Sequence, residues 1–202
     1  NLSNSGVLNN SSTGTITASN SFTNTNTMIN DGMISATHFG NSGGLSNSST
    51  GTITASNTFT NTNSMTNHGT ISTTDLSNSG WLANSSTGTI TANTLTNSGS
   101  LNNSGNIIID HINSSGELIA YESGYIEATE GIHIYGNGAL YLENSTIETP
   151  ELFVSAPIPP YIQVSDYDPD EPCEISGTGN IEGNVTVMNK GLLIASNLFD
   201  SE

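Results

Sequence analysis

The sequence predicts an all-β fold, a single-stranded parallel β-solenoid with three short strands per coil and about 18–19 residues per coil. Three observations predict it. The segment NSSTGTITA occurs three times at a period of 37 residues, beginning at Asn10, Asn47 and Asn84. Large apolar residues recur mostly six or eight positions apart, a spacing typical of neither an α-helix nor an amphipathic strand. Asn, Ser and Thr, which are poor helix formers, supply 29 of the first 50 residues.

The spacing of the apolar residues defines the coils. Within one repeat the steps between them are 6, 8, 6, 6, 6 and 5 residues, which sum to 37. We expect each apolar residue to point inward from one short strand, so a repeat comprises two coils of 20 and 17 residues. In the first repeat these residues are Leu2, Leu8, Ile16, Phe22, Met28 and Ile34, and Phe39 begins the next repeat.

Asparagines follow the inward residues at a fixed offset of two positions. On stacked coils they would form two columns in which each side chain hydrogen-bonds to the coils above and below. We call these the first and second ladders. The first comprises Asn4, Asn24, Asn41, Asn61, Asn78 and Asn97, and the second comprises Asn10, Asn30, Asn47, Asn67, Asn84 and Asn103.

Glycine or asparagine occupies the position two residues beyond the first ladder. Both residue types tolerate a positive φ, so we expect this corner to turn through the left-handed region. The residues are Gly6, Asn26, Gly43, Asn63, Gly80, Gly99 and Gly116.

Charge and proline divide the chain into three predicted segments. Residues 1–149 form the solenoid, whose repeats degenerate after residue 110; 150–174 form a proline-rich acidic loop or bridge; 175–202 form C-terminal coils. Residues 1–109 contain only Asp31 and Asp75 as charged side chains, whereas the remaining sixteen acids and Lys190 give residues 110–202 a charge of −15.

The repeat units resemble the passenger repeats of bacterial autotransporter and filamentous-haemagglutinin-type exoproteins. The similarity lies in the NSSTGTITA units and in ISGTGNIEGNVTVMNKGLLIAS (175–196), which matches units of the form G-T-G-x-I-x-G-N-V-x-V ending in N-x-G-x-L. It implies a parallel β-helix at the cell surface and favours a right-handed one, although steps of six residues also suit a left-handed hexapeptide helix.

Composition excludes several classes of function. With a net charge of −17 and one basic side chain, the chain lacks the cations that hold nucleic acid or anionic lipid. No stretch approaches the ~20 apolar residues of a membrane span.

A polysaccharide hydrolase needs paired carboxylates, for which Glu122 with Glu127 or Asp166 with Asp168 are candidates. Outward acids on a solenoid are more often solvated, so we expect no enzyme.

One segment concentrates oxygen ligands of the kind that Ca²⁺ prefers. It lacks the spacing of an EF-hand loop, so a Ca²⁺ site and a plain acidic surface loop are both open. We expect no other cofactor. The candidate ligands are Asp166, Asp168, Asp170 and Glu171.

The remaining chemistry-bearing residues give weaker signals. The four histidines, His38, His68, His111 and His133, lack the spacing of a zinc site, and the lone Cys173 forms no internal disulfide. Outward threonines resemble the T-x-T face of ice-binding β-solenoids, but Met33 with Ser35 interrupts them. These threonines are Thr15, Thr17, Thr52, Thr54, Thr89 and Thr91.

The first coil would leave strand edges unpaired. Leu2 is already in register with Phe39, so we expect something to cover this coil, and a second copy stacked head to tail would do so. The sequence therefore predicts a non-enzymatic extracellular fibre or adhesive stalk. An adhesin that binds a receptor or glycan is the alternative, with ice binding or carbohydrate hydrolysis weaker still.

Overall fold

The structure is a computed structural model that describes residues 1–143, 145–155, 161–165, 174–176, 184–188 and 194–196. These residues form strands and turns and contain no helix. The strands are β1 (Leu2–Asn4), β2 (Leu8–Asn10), β3 (Thr15–Thr17), β4 (Ser21–Asn24), β5 (Thr27–Asn30), β6 (Met33–Asn41), β7 (Gly44–Asn47), β8 (Thr52–Asn61), β9 (Ser64–Asn67), β10 (Thr70–Asn78), β11 (Trp81–Asn84), β12 (Thr89–Asn97), β13 (Ser100–Asn103), β14 (Asn106–Ser114), β15 (Glu117–Ala120), β16 (Tyr125–Tyr135), β17 (Ala139–Leu142), β18 (Thr146–Glu148), β19 (Leu152–Ser155), β20 (Tyr161–Ser165), β21 (Glu174–Ser176), β22 (Asn184–Met188) and β23 (Ile194–Ser196).

The described strands stack in parallel and define three sides. The second side is a 10-stranded sheet that begins with β2, β5 and β7. The first and third sides belong to a 13-stranded sheet, because long strands such as β6 pass round the corner between them. In β6 the register against β8 shifts between Ala36 and His38, which marks that corner. The predicted all-β parallel solenoid is confirmed.

Inward residues of the first side pair coil to coil and show the coil lengths. Leu2 pairs with Phe22 and Phe22 pairs with Phe39, which gives coils of 20 and 17 residues as the repeat predicts. The column continues through Phe59, Leu76, Leu95, Ile112, Ile132 and Leu152. Eight coil steps at ~4.8 Å make a stack of about 38 Å.

The core is narrow because each coil contributes one large inward side chain from each side. Phe22, Phe39 and Phe59 are fully buried and stack along the axis, with ring centroids 5.2 and 4.7 Å apart. The third side adds a small residue after its isoleucine, such as Ala36 and Ala55, both buried. A small inward residue keeps the coil cross-section thin where the strand turns toward the first side.

Strands continue into the segment 150–174, where the sequence predicted a loop or bridge. β19 pairs with β16 through Leu152 and Ile132, and β20 pairs with β17 through Ile162 and Leu140. All six prolines of the segment lie outside β19 and β20, so none removes a backbone donor from these two strands. Solenoid pairing therefore extends beyond residue 149.

Candidate functional site

The twelve asparagines of the two predicted ladders are buried at two corners of the coil. Within each ladder, the side-chain Nδ2 of one asparagine donates to the Oδ1 of the asparagine one coil further along. Asn41 donates to Asn61 over 2.8 Å, and Asn61 donates to Asn78 over 2.8 Å. The other links of both ladders measure 2.7–2.9 Å.

Each ladder amide also binds the backbone of the next coil. Asn24 Nδ2 donates to the carbonyl of Gly44 over 3.1 Å, and Asn61 Nδ2 donates to that of Trp81 over 3.0 Å. No buried side-chain nitrogen or oxygen of the described residues lacks a hydrogen-bond partner. The asparagines therefore join coils with fully satisfied buried amides, which is what lets a polar side chain lie inside so thin a core.

Glycine at the first corner has a different cause from the predicted one. The described residues with positive φ are Glu122, Ser123 and Gly136, so none of the predicted corner residues is left-handed. At the glycine positions the preceding coil lies too close for a Cβ: one built on Gly99 would lie 2.1 Å from the Gly80 carbonyl oxygen, whereas Asn26 and Asn63 hold the equivalent position in two other coils. The prediction of a left-handed corner was wrong, because contact with the preceding coil decides this position.

Both ladders end where the acidic half begins. Asn97 donates to the hydroxyl of Ser114 over 3.1 Å, and Ser114 pairs in the next coil with the buried Ile134. Asn103 is followed by Ala120 and then by Leu142, both buried. Beyond residue 114, buried apolar side chains thus replace the amides at both corners and belong to the hydrophobic core.

The predicted Ca²⁺ ligands, Asp166, Asp168, Asp170 and Glu171, and the lone Cys173 lie outside the described residues. The described part of the chain contains no group of three His, Cys, Asp or Glu side chains arranged to hold a metal ion.

The candidate hydrolase pair Glu122 and Glu127 is separated by the corner before β16, where Glu122 has a φ of 50°. Glu127 stands in register with Glu148 instead. Tyr125 Oη donates to Glu148 Oε2 over 2.8 Å and lies 3.5 Å from Glu127 Oε2. Desolvation, that hydrogen bond and the two negative charges raise the pKa of Tyr125 to about 12.

The structure distributes the histidines along the stack. His38 and His111 share an outward column of the first side, but the strands β8, β10 and β12 lie between them. His38 Nδ1 is 2.8 Å from Thr58 Oγ1, and His68 Nδ1 is 2.6 Å from Ser85 Oγ. These two histidines therefore serve contacts between neighbouring coils.

His111 and His133 line one groove, which the sequence analysis missed. Asn113 is the residue in register with His133, so the two histidines are diagonal neighbours on adjacent coils. Their spacing of 22 residues is one 20-residue coil plus two positions, and this signal was present in the sequence.

The groove has a volume of about 400 Å³ and crosses β14, β16 and β19. Gly131 pairs with His111, and the backbone nitrogen of Ile132 donates to the Glu151 carbonyl over 2.8 Å. Gly131 is buried and adds no side chain between His111 and Glu151, and a Cβ built on it would lie 3.3 Å from the Glu151 carbonyl oxygen. The remaining lining residues are Ile112, Asn113, Glu130, His133 and Phe153.

One wall of the groove is charged and the other is aromatic. The Glu130 carboxylate contacts His111 Nε2, and both side chains are more than half exposed. The ring centroids of His133 and Phe153 are 4.9 Å apart in an edge-to-face arrangement, and those of His133 and Tyr135 are 5.3 Å apart.

The outward residues elsewhere do not form a continuous surface of one chemistry. On the third side Met33 stands in register between Thr15 and Thr52, so the threonine columns are interrupted as predicted. On the second side Ile29 and Trp81 are exposed but lie three strands apart. The apolar residues of that side are thus scattered.

Comparison with protein-family models, curated proteins and solved structures finds no match for this chain. Among the described residues, no helix is long and apolar enough to cross a membrane. The parallel stack and its two ladders define a β-solenoid repeat protein.

Proposed function

We propose that this chain is a structural β-solenoid, a non-enzymatic rod segment of an extracellular fibre or adhesive stalk. The observation that carries the proposal is the pair of asparagine ladders. The amide-to-amide hydrogen bonds of each ladder join one coil to the next, so they strengthen the molecule along its axis. Such a stack gains stability from nearest-neighbour contacts and can be lengthened by adding coils.

A cell-surface location is supported by the resemblance of the NSSTGTITA units to autotransporter and haemagglutinin-type passenger repeats. Proteins of that kind present β-helical rods outside the cell. A surface coated with Asn, Ser and Thr and almost free of Lys and Arg suits an exposed polar stalk.

Head-to-tail stacking of copies is part of the proposal, because parallel coils pair edge to edge along the axis of the solenoid. No described strand pairs with β1 on the side away from β4, and Leu2 is 42% exposed. No atom approaches within 4 Å of a Cβ built on Gly6, the equivalent of Gly99. The edge of β1 has the same form that inner coils present to their predecessors, so it would accept a further coil, and we propose that a coil of a second copy takes that place.

Electron microscopy of the full chain across a range of concentrations tests the proposal. We expect rods that lengthen with concentration. Gly6→Ala places a methyl group where an added coil would lie, so it should abolish lengthening and leave single rods intact. Gly40→Ala is the matched control, because it also adds a methyl group in open space, but on the outward face of a strand. Compact particles in place of rods would refute the structural role.

The second candidate function is adhesion, in which the chain binds a receptor or glycan. The groove between His111 and Phe153 favours it, because charged and aromatic side chains converge there on an otherwise regular surface. Rod and adhesin are compatible, since a stalk can carry a binding site along its side.

A further inference from the structure

We infer that the groove on the first side binds an arginine side chain of a partner protein. The inference deepens the adhesive function proposed above and does not depend on stacking of copies. It rests on three properties of the groove: the charge of its lining, the aromatic wall and its volume beside Gly131.

The charge of the groove selects a cation. Glu130 and Glu151 both line it, and the described residues include no Lys or Arg to neutralise them. Glu130 contacts His111, whereas the exposed Glu151 carboxylate has no hydrogen-bond or ionic partner within the described part of the chain. An anionic occupant would meet repulsion from both carboxylates, while a cationic one would gain a charge-assisted hydrogen bond to each.

The aromatic wall selects a flat cation over a compact one. The Phe153 ring packs edge-to-face with His133, and the two rings form a surface beside the carboxylates. A guanidinium group is planar and more weakly hydrated than an ammonium, so it stacks on aromatic rings while donating to carboxylates in its own plane. Lysine offers only the point charge.

The groove volume of about 400 Å³ provides the space. Gly131 adds no side chain between His111 and Glu151, so the methylene stem of an arginine can lie across the strands there. A metal ion is a poorer occupant, because these side chains do not converge as a group of three ligands.

Isothermal titration calorimetry of the full chain with the blocked peptide acetyl-Gly-Gly-Arg-Gly-Gly-amide tests the inference. The citrulline peptide is the matched probe, since citrulline keeps the shape of arginine without its charge. We expect the citrulline peptide to bind at least tenfold more weakly, and the lysine peptide to bind with an intermediate affinity. Glu130→Gln and Glu151→Gln should each weaken arginine binding about fivefold to tenfold.

Glu117→Gln is the control variant, because it removes the same charge from the exposed start of β15 on the second side. We expect its affinity to stay within twofold of the parent chain. Equal binding of the arginine and citrulline peptides would overturn the inference. An equal loss of arginine-peptide affinity in Glu117→Gln and in the groove variants would also overturn it, because the peptide would then be attracted by the net charge of the chain alone.

A neutral oligosaccharide that binds the parent chain and the two groove variants equally, with no binding of the arginine peptide, would also overturn the inference. That result would make the groove a glycan site. Failure of every peptide and sugar to bind would reject the adhesive role at this groove, whereas rod formation is read separately by microscopy.

Discussion

Replacement of Asn61 by alanine measures what one ladder residue contributes to stability. The Asn61 side chain is fully buried and donates to Asn78 Oδ1 over 2.8 Å and to the Trp81 carbonyl over 3.0 Å. Alanine leaves both acceptors without these donors, at about 1–2 kcal/mol each. The space left by the amide adds about 1 kcal/mol. We expect the free energy of unfolding to fall by about 3–5 kcal/mol.

Thermal and urea unfolding, followed by circular dichroism, check this value. For a chain of this size the loss corresponds to a fall in Tm of about 10 °C. Asn57→Ala is the matched control, because the Asn57 side chain is exposed in the same strand β8. Its expected effect is within about 0.5 kcal/mol. Equal stability of the two variants would show that the ladder does not hold the coils together.

Two further predictions concern a corner glycine and a tyrosine. Gly99→Ala should lower the free energy of unfolding in urea by about 3 kcal/mol or more, because its methyl group would meet the Gly80 carbonyl. Gly6→Ala should leave the stability of the single rod unchanged. Equal effects of the two substitutions would contradict close packing at this corner. Tyr125, with its pKa raised to about 12, binds its proton more tightly in the folded chain than in the unfolded one. Its contribution to stability should therefore be complete below pH ~10 and lost between pH ~10 and ~12. The stability of Tyr125→Phe, measured across the same pH range, should lack this loss. Identical pH profiles of the variant and the parent chain would refute the prediction.

The ladders could be predicted from sequence because they depend on one offset repeated in every coil. Asn41 and Asn61 follow Phe39 and Phe59 by two positions, so the same alternation that buries the phenylalanines also buries the amides. The end of the ladders is equally visible once the register is known, since Ala120 takes the position of Asn103.

The groove could not be predicted in the same way. It depends on His111 and Glu151, which lie on either side of Gly131 only because their coils are neighbours in the stack. In the sequence His111 and Glu151 each lie 20 positions from Gly131, and among the charged groove residues only Glu130 is adjacent to it. The alignment of one coil on the next decides which outward side chains converge.

By itself the sequence determined the class of fold, the three sides and the composition of the core, because a strict period leaves one way to bury every large apolar residue. The tertiary structure decided why glycine occupies the first corner and where polar groups gather outside. The corner depends on the distance between the backbones of Gly80 and Gly99, and that distance exists only once the coils are stacked. The periodic spacing specifies what points inward, whereas contacts between coils specify how closely they pack and what their outer surface offers to a partner.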